Sequence, residues 1–174
     1  MHYKDQRVGV FVDVQNLYHS AKHIYGARVN FAELLKHIVG SRQLIRAIGY
    51  VVKSDVSAGE GAFFEALEKS GIELRVKDLQ VFAGGAKKAD WDVGMAVDAI
   101  RTAKSLDVII LVTGDGDFVP LVEYLKWGEG KQVEAASFGR STSSRLKEVV
   151  DSYVDLDQNP KVLLKTKFSR TSRK

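Results

Sequence analysis

Apolar runs of strand length alternate along the chain with stretches whose apolar positions recur at helical spacing. Arg7 to Val14 reads as a first strand and Gln15 to Tyr25 as the amphipathic helix after it. A helical patch, Phe31 to Val39, precedes a second strand, Leu44 to Val52. The long amphipathic stretch Ala58 to Ser70 can close at Gly71, and Ile72 to Val76 fits a third strand. Leu79 to Lys88 holds Gly84, Gly85, Lys87 and Lys88 and reads as a flexible basic loop before a helix from Trp91 to about Lys104. Asp107 to Val112 is continuous in β-branched residues and leucine, the mark of a strand covered on both faces. A helix from Phe118 to Trp127, a strand from Val133 to Phe138, a short helix from Ser144 to Val150 and a last strand from Tyr153 to Leu156 complete the series. Such alternation predicts an α/β fold: a three-layer α/β/α domain around a mostly parallel sheet with right-handed crossovers.

Composition narrows this picture. A chain of 174 residues suits a single domain, and 45% hydrophobic with 28% charged residues is ordinary folded material, too charged to span a bilayer. No cysteine occurs, which excludes disulfides, thiolate nucleophiles and iron–sulfur clusters and leaves oxygen or histidine for any metal. Met1 to Val8 has no apolar segment of signal-peptide type, so a cytoplasmic location is expected and no membrane contact. The net charge of +4 is unevenly spread. Residues 158–174 carry Lys161, Lys165, Lys167, Arg170, Arg173 and Lys174 and no acid, leaving 20 basic against 22 acidic residues in 1–157. The domain is therefore read as 1–157, with a basic tail at 158–174 that suits a polyanion or is simply a solvated end.

In open α/β sheets ligands bind beyond the carboxyl ends of the strands. The first strand ends in Asp13-Val-Gln-Asn16, and the buried strand ends in Thr113-Gly-Asp-Gly-Asp117. If these strands are neighbours, about 4.8 Å apart, Asp13 and Asp115 come within reach of one ion. Asp92 adds a third carboxylate at the start of a helix. Acids crowded into one crevice repel one another, and a hard divalent cation, Mg2+ or Mn2+, is the usual remedy. Each acid also has a plainer reading. Asp13 can cap the first helix, Asn16 can make a turn hydrogen bond, Asp90 and Asp92 can serve the start of their helix, and Asp115 to Asp117 can form a tight turn. Asp98 lies about 9 Å along the helix from Asp92 and about 120° around it, so the two do not readily chelate one ion. A pair with Arg101 or a supporting role suits it better. Asp107 stands at the wrong end of its strand.

Other motifs fail. Gly114 to Val119 lacks the third glycine of a dinucleotide fingerprint, and Gly128-Glu-Gly-Lys131 lacks phosphate-loop spacing. Gln15 stands where an aspartyl-phosphate enzyme needs its second acid, which weakens a phosphatase or nucleotidase reading. His19 and His23 have the i,i+4 spacing of zinc ligands but no third partner, and read as surface histidines. No Ser-His-Asp order or Gly-x-Ser-x-Gly elbow is found.

Three segments carry a resemblance: Val10-Phe-Val-Asp-Val-Gln-Asn-Leu17, Lys88-Ala-Asp-Trp-Asp-Val-Gly-Met-Ala-Val-Asp-Ala-Ile100 and Leu111-Val-Thr-Gly-Asp-Gly-Asp-Phe118, with weaker support at Ser144-Arg-Leu146 and Asp151-Ser-Tyr153. Together they resemble the NYN domains of the LabA-like branch, within the PIN-like nuclease fold, over about residues 7–156. The resemblance implies strand order 3-2-1-4-5 and metal-binding acids at Asp13, Asp92 and Asp115. Asp117 joins these as a fourth catalytic acid, with Asn16, Thr113 and Asp98 in secondary positions. It also implies an Mg2+- or Mn2+-dependent nuclease acting on nucleic acid, with RNA as the expected substrate. Lys87, Lys88, Arg140 and Arg145 are the candidates for gripping its backbone, or else ordinary exposed cations. The alternative is a non-catalytic nucleic-acid-binding or regulatory module of the same branch, and a homodimer is left open.

Overall fold

A computed structural model describes residues 3–53, 59–81, 87–88 and 90–165. Its elements run β1 (Arg7–Asp13), α1 (Val14–Tyr25), β2 (Ala27–Val29), α2 (Phe31–Val39), β3 (Gln43–Lys53), α3 (Glu60–Lys69), β4 (Glu73–Asp78), β5 (Gln80–Val81), β6 (Lys87–Lys88), α4 (Asp92–Thr102), β7 (Val108–Val112), α5 (Val119–Glu123), β8 (Gln132–Ser137), α6 (Ser144–Val149), β9 (Ser152–Asp155) and β10 (Leu163–Lys165). Six strands form one sheet in the order β4-β3-β1-β7-β8-β9, parallel at every pairing. Counted within that sheet the order is 3-2-1-4-5-6, so it differs in detail from the expected five-strand order by a sixth strand at its edge. The order reverses between β1 and β7, where Val12 lies opposite Val112. The carboxyl ends of these two strands therefore flank the crevice in which α/β sheets bind ligands.

Alternation along β1 supplies both faces. Val8, Val10 and Val12 join a core with α1, α2 and α3, whereas Phe11 joins a second core with α4, α5 and α6. Every residue of β7 is buried, as its unbroken apolar run requires of a strand covered on both sides. One charged pair is enclosed with the first core. Arg42 meets Glu134 through two hydrogen bonds of 2.8 and 3.0 Å, and neither side chain reaches solvent. Arg42 also donates to the carbonyls of Ile38 and Val39, tying the end of α2 to β8. Among the described residues no helix is long and apolar enough to cross a membrane.

Three departures from the sequence reading have local causes. The helix expected from Phe118 to Trp127 is composite, a 3-10 turn at Gly116–Phe118, then α5 with Pro120 in its first turn, then a π turn at Tyr124–Gly128. The loop expected from Leu79 to Lys88 contains a two-residue antiparallel pairing of β5 with β6, while residues 82–86 lie outside the described ones. Finally, packing continues past the expected boundary after residue 157. Val162 is wholly buried in the first core, and β10 pairs antiparallel with β2, so the packed body reaches Lys165. Strands of three residues are too short to show a period. The rest of the basic tail, 166–174, lies outside the described residues.

Candidate metal and nucleic-acid site

β1 delivers Asp13 to the crevice, and its carboxylate caps α1 by accepting the Asn16 amide at 3.1 Å. The other oxygen of Asp13 accepts the Thr113 hydroxyl at 3.3 Å. That hydroxyl in turn accepts the Asp115 amide at 3.2 Å, and the Asn16 side chain accepts the Gly114 amide at 3.1 Å. Thr113, fully buried at the end of β7, thus ties β1 to the acidic turn. Asp115 closes the turn by accepting the Asp117 amide at 2.9 Å. The two glycines have a steric reason. A Cβ on Gly114 would lie 2.7 Å from the Ser141 carbonyl oxygen, and one on Gly116 would lie 2.7 Å from Ser143 Oγ. The segment after β8 therefore sits directly on this turn, held by the Ser143 amide donating to the Gly114 carbonyl at 2.9 Å.

Asp92 comes from the opposite wall, on the first turn of α4. Trp91 fixes that turn. Its indole donates to the Val51 carbonyl at 2.8 Å, its ring packs on Tyr50 at 5.5 Å, and Lys77 lies over it at 5.3 Å. Gly94 leaves room for the indole, since a Cβ there would come within 2.6 Å of it. Trp91 is the positioning residue that sequence reasoning missed. The tryptophan between two aspartates, with glycine three residues on, was the available signal.

Carboxylate oxygens of Asp92, Asp115 and Asp117 lie within 4.8 Å of one another. Asp13 stands outside this triangle, engaged with Thr113 and Asn16, but near enough that Asp92 and Asp115 act on its charge. Burial pushes the Asp13 carboxyl above the ordinary range, the Asn16 and Thr113 hydrogen bonds oppose the rise, and the two neighbouring acids add to it. Asp92 is likewise raised, first by burial and then by Asp115, Asp90 and Asp117. Hard oxygen donors held this close against their mutual repulsion are a fitting set for a divalent cation.

The remaining expected residues fall elsewhere. Asp98 points away from the triangle, accepting the Tyr50 hydroxyl at 3.1 Å with Arg75 at 3.5 Å and Arg101 at 3.9 Å. Asp107 pairs with Arg7 at the far end of the sheet. Arg140 and Arg145 are exposed on the segment that covers the acidic turn. The side chains of Lys87 and Lys88 lie outside the described residues. His19 and His23 are exposed, with rings 6.1 Å apart and 20° from parallel. A groove lined by Lys126, Trp127, Lys131 and Asp151 opens at the beginnings of β8 and β9, the end of the sheet away from the acids.

A family model described as NYN domain matches residues 7–157. The chain belongs to the NYN domain family. This NYN protein is 25% identical over 174 residues to the low amplitude and bright protein LabA of Synechococcus elongatus, across 95% of this chain and 92% of LabA. The resemblance to the LabA-like branch is thereby borne out. A crystal structure of a protein of unknown function from Vibrio parahaemolyticus RIMD 2210633 superposes with a TM-score of 0.84 and 30% identity, covering 94% of this chain and 99% of the other. The NYN family stands within the PIN-like nuclease superfamily, and in this member a carboxylate cluster able to hold a metal lies at the sheet's switch point.

Proposed function

We propose that this NYN protein is an Mg2+- or Mn2+-dependent nuclease that hydrolyses phosphodiester bonds of RNA at the acid cluster. The convergence of Asp92, Asp115 and Asp117 beside buried Asp13, at the sheet's switch point, carries this reading. The three clustered carboxylates would hold the ion, which supplies Lewis acidity and charge neutralisation at a phosphodiester when bound. Asp13 and Thr113 keep Asp115 oriented through the hydroxyl chain, and Asn16 holds the Gly114 backbone in place. Trp91 does the same for Asp92 from the other wall. These contacts leave the triangle rigid before substrate arrives, which spares reorganisation during the reaction. Arg140 and Arg145 offer phosphate contacts without sequence preference.

The test is cleavage of labelled single-stranded and duplex RNA and DNA, with Mg2+, Mn2+ or chelator, by wild type and separately purified Asp115→Asn. Metal-dependent cleavage of RNA that the variant lacks is the expected result, and the variant controls for contaminating nuclease. Nucleic-acid binding without turnover in any metal would favour the non-catalytic module instead.

A further inference from the structure

We propose that the exposed ridge of α1 is a stacking track for single-stranded nucleic acid leading away from the acid cluster, an inference that rests on the nucleic-acid reading above. The helix buries Val14, Leu17 and Ala21. At 100° per residue its opposite side carries Asn16, His19 and His23, with His23 about 20° and His19 about 60° from the direction of Asn16, and Lys22 on the flank about 120° round. Asn16 is the crevice end of this ridge, because its side chain holds the Gly114 amide. The track and the acidic turn are therefore continuous.

The ridge carries rings and positive charge. His19, Lys22 and His23 are exposed, as is Tyr18 on the helix flank, where its ring meets Phe63 at 6.3 Å. Tyr18 meets His19 edge-on at 5.5 Å, His19 stacks over His23, and Lys22 lies 5.7 Å from the Tyr18 ring. Alone among the six described α-helices, α1 contains no aspartate or glutamate. This is complementary to a polyanion, on a body otherwise slightly acidic. No third ligand joins the two histidines among the described residues, so the pair is not a metal site of the usual kind.

Exposed Arg140 and Arg145 lie on the segment that rests on the acidic turn, where the Ser143 amide donates to the Gly114 carbonyl, at the crevice end of this ridge. Unpaired bases can stack on exposed rings while lysine and arginine meet the phosphates. Bases within a duplex already stack on one another, so the track selects single strands.

Binding of a fluorescein-labelled twelve-nucleotide uridine RNA, and of a duplex of the same length, is measured by anisotropy in chelator so that no turnover intervenes. His19→Ala/His23→Ala is expected to weaken single-strand binding about tenfold or more, leaving duplex binding within about twofold. His19→Phe/His23→Phe, which keeps the rings, is expected to recover most of the loss. Both pairs are exposed, and unchanged melting temperatures confirm the fold. Unaltered single-strand binding by the alanine pair, equal weakening for both nucleic acids, failure of phenylalanine to recover binding, or a wild type that binds no single strand would each overturn the track. Metal-dependent cleavage is followed in parallel. Cleavage with binding indifferent to α1 counts against the track alone, and α1-dependent binding without cleavage counts against the nuclease reading alone.

Discussion

Asp92 is a carboxylate whose charge is opposed both by burial and by three neighbouring acids. A group raised in this way stabilises the fold below its ordinary pKa and loses that contribution as pH rises through the raised value. In chelator near pH 7.5, Asp92→Asn is therefore expected to melt about 1–3 °C above wild type, the scale of a fraction of a kcal/mol to about 1 kcal/mol for a chain of this size. The gap closes near pH 4, and added Mn2+ raises wild type but not the variant, all readable by calorimetry. Asp107 shows the reverse sign. Hydrogen bonds from the Arg7 guanidinium and amide, at 2.8 to 3.0 Å, hold its pKa down to about 2. Its contribution is present above the ordinary carboxylate value and lost as pH falls toward 2. Asp107→Asn should melt slightly below wild type at pH 7, and the difference should vanish between about pH 4 and pH 2. The effect is small because the pair is half in solvent.

At the scale of elements, the enclosed Arg42–Glu134 pair joins the end of α2 to β8. Arg42→Met leaves the buried Glu134 carboxylate without its cation, holding only hydrogen bonds such as that from Gln132, and is expected to cost about 3–5 kcal/mol in denaturant unfolding, whereas Arg42→Met with Glu134→Leu should recover most of it. Long, strongly patterned elements of this kind were legible from sequence: α2 begins and ends where its spacing placed it, and β7 announced itself by its unbroken apolar run. β2 and β10 were not legible, because a three-residue ribbon carries no period and owes its existence to Val162 reaching the core. The helix after the acidic turn was read as one piece because its apolar spacing survives the change from 3-10 to α to π winding.

Across the whole molecule, the parallel sheet accounts for why residues about 80 to 100 positions apart in sequence meet at one crevice. Patterning places Asp13 and the Thr113 to Asp117 turn each directly after a strand, and the family resemblance implies that those strands are neighbours; that much of the candidate site was readable. Which acids converge was not, because it depends on the tilt of α4 set by Trp91 and on the tight turn that swings Asp117 toward Asp92. The sequence ranks Asp13 with the direct ligands; in the structure its oxygens accept one hydrogen bond each, from Asn16 and Thr113, which leaves lone pairs beside the Asp92, Asp115 and Asp117 triangle. The most direct test of the account is the single-turnover rate of RNA cleavage as a function of Mn2+ concentration, for wild type and for Asp92→Asn, Asp115→Asn and Asp117→Asn. A wild-type rate that is absent in chelator and saturates with Mn2+, reduced about a hundredfold or more in each variant as expected for loss of a main electrostatic contact, is the predicted result. Cleavage that persists in chelator, or variants that cut as fast as wild type, would contradict it.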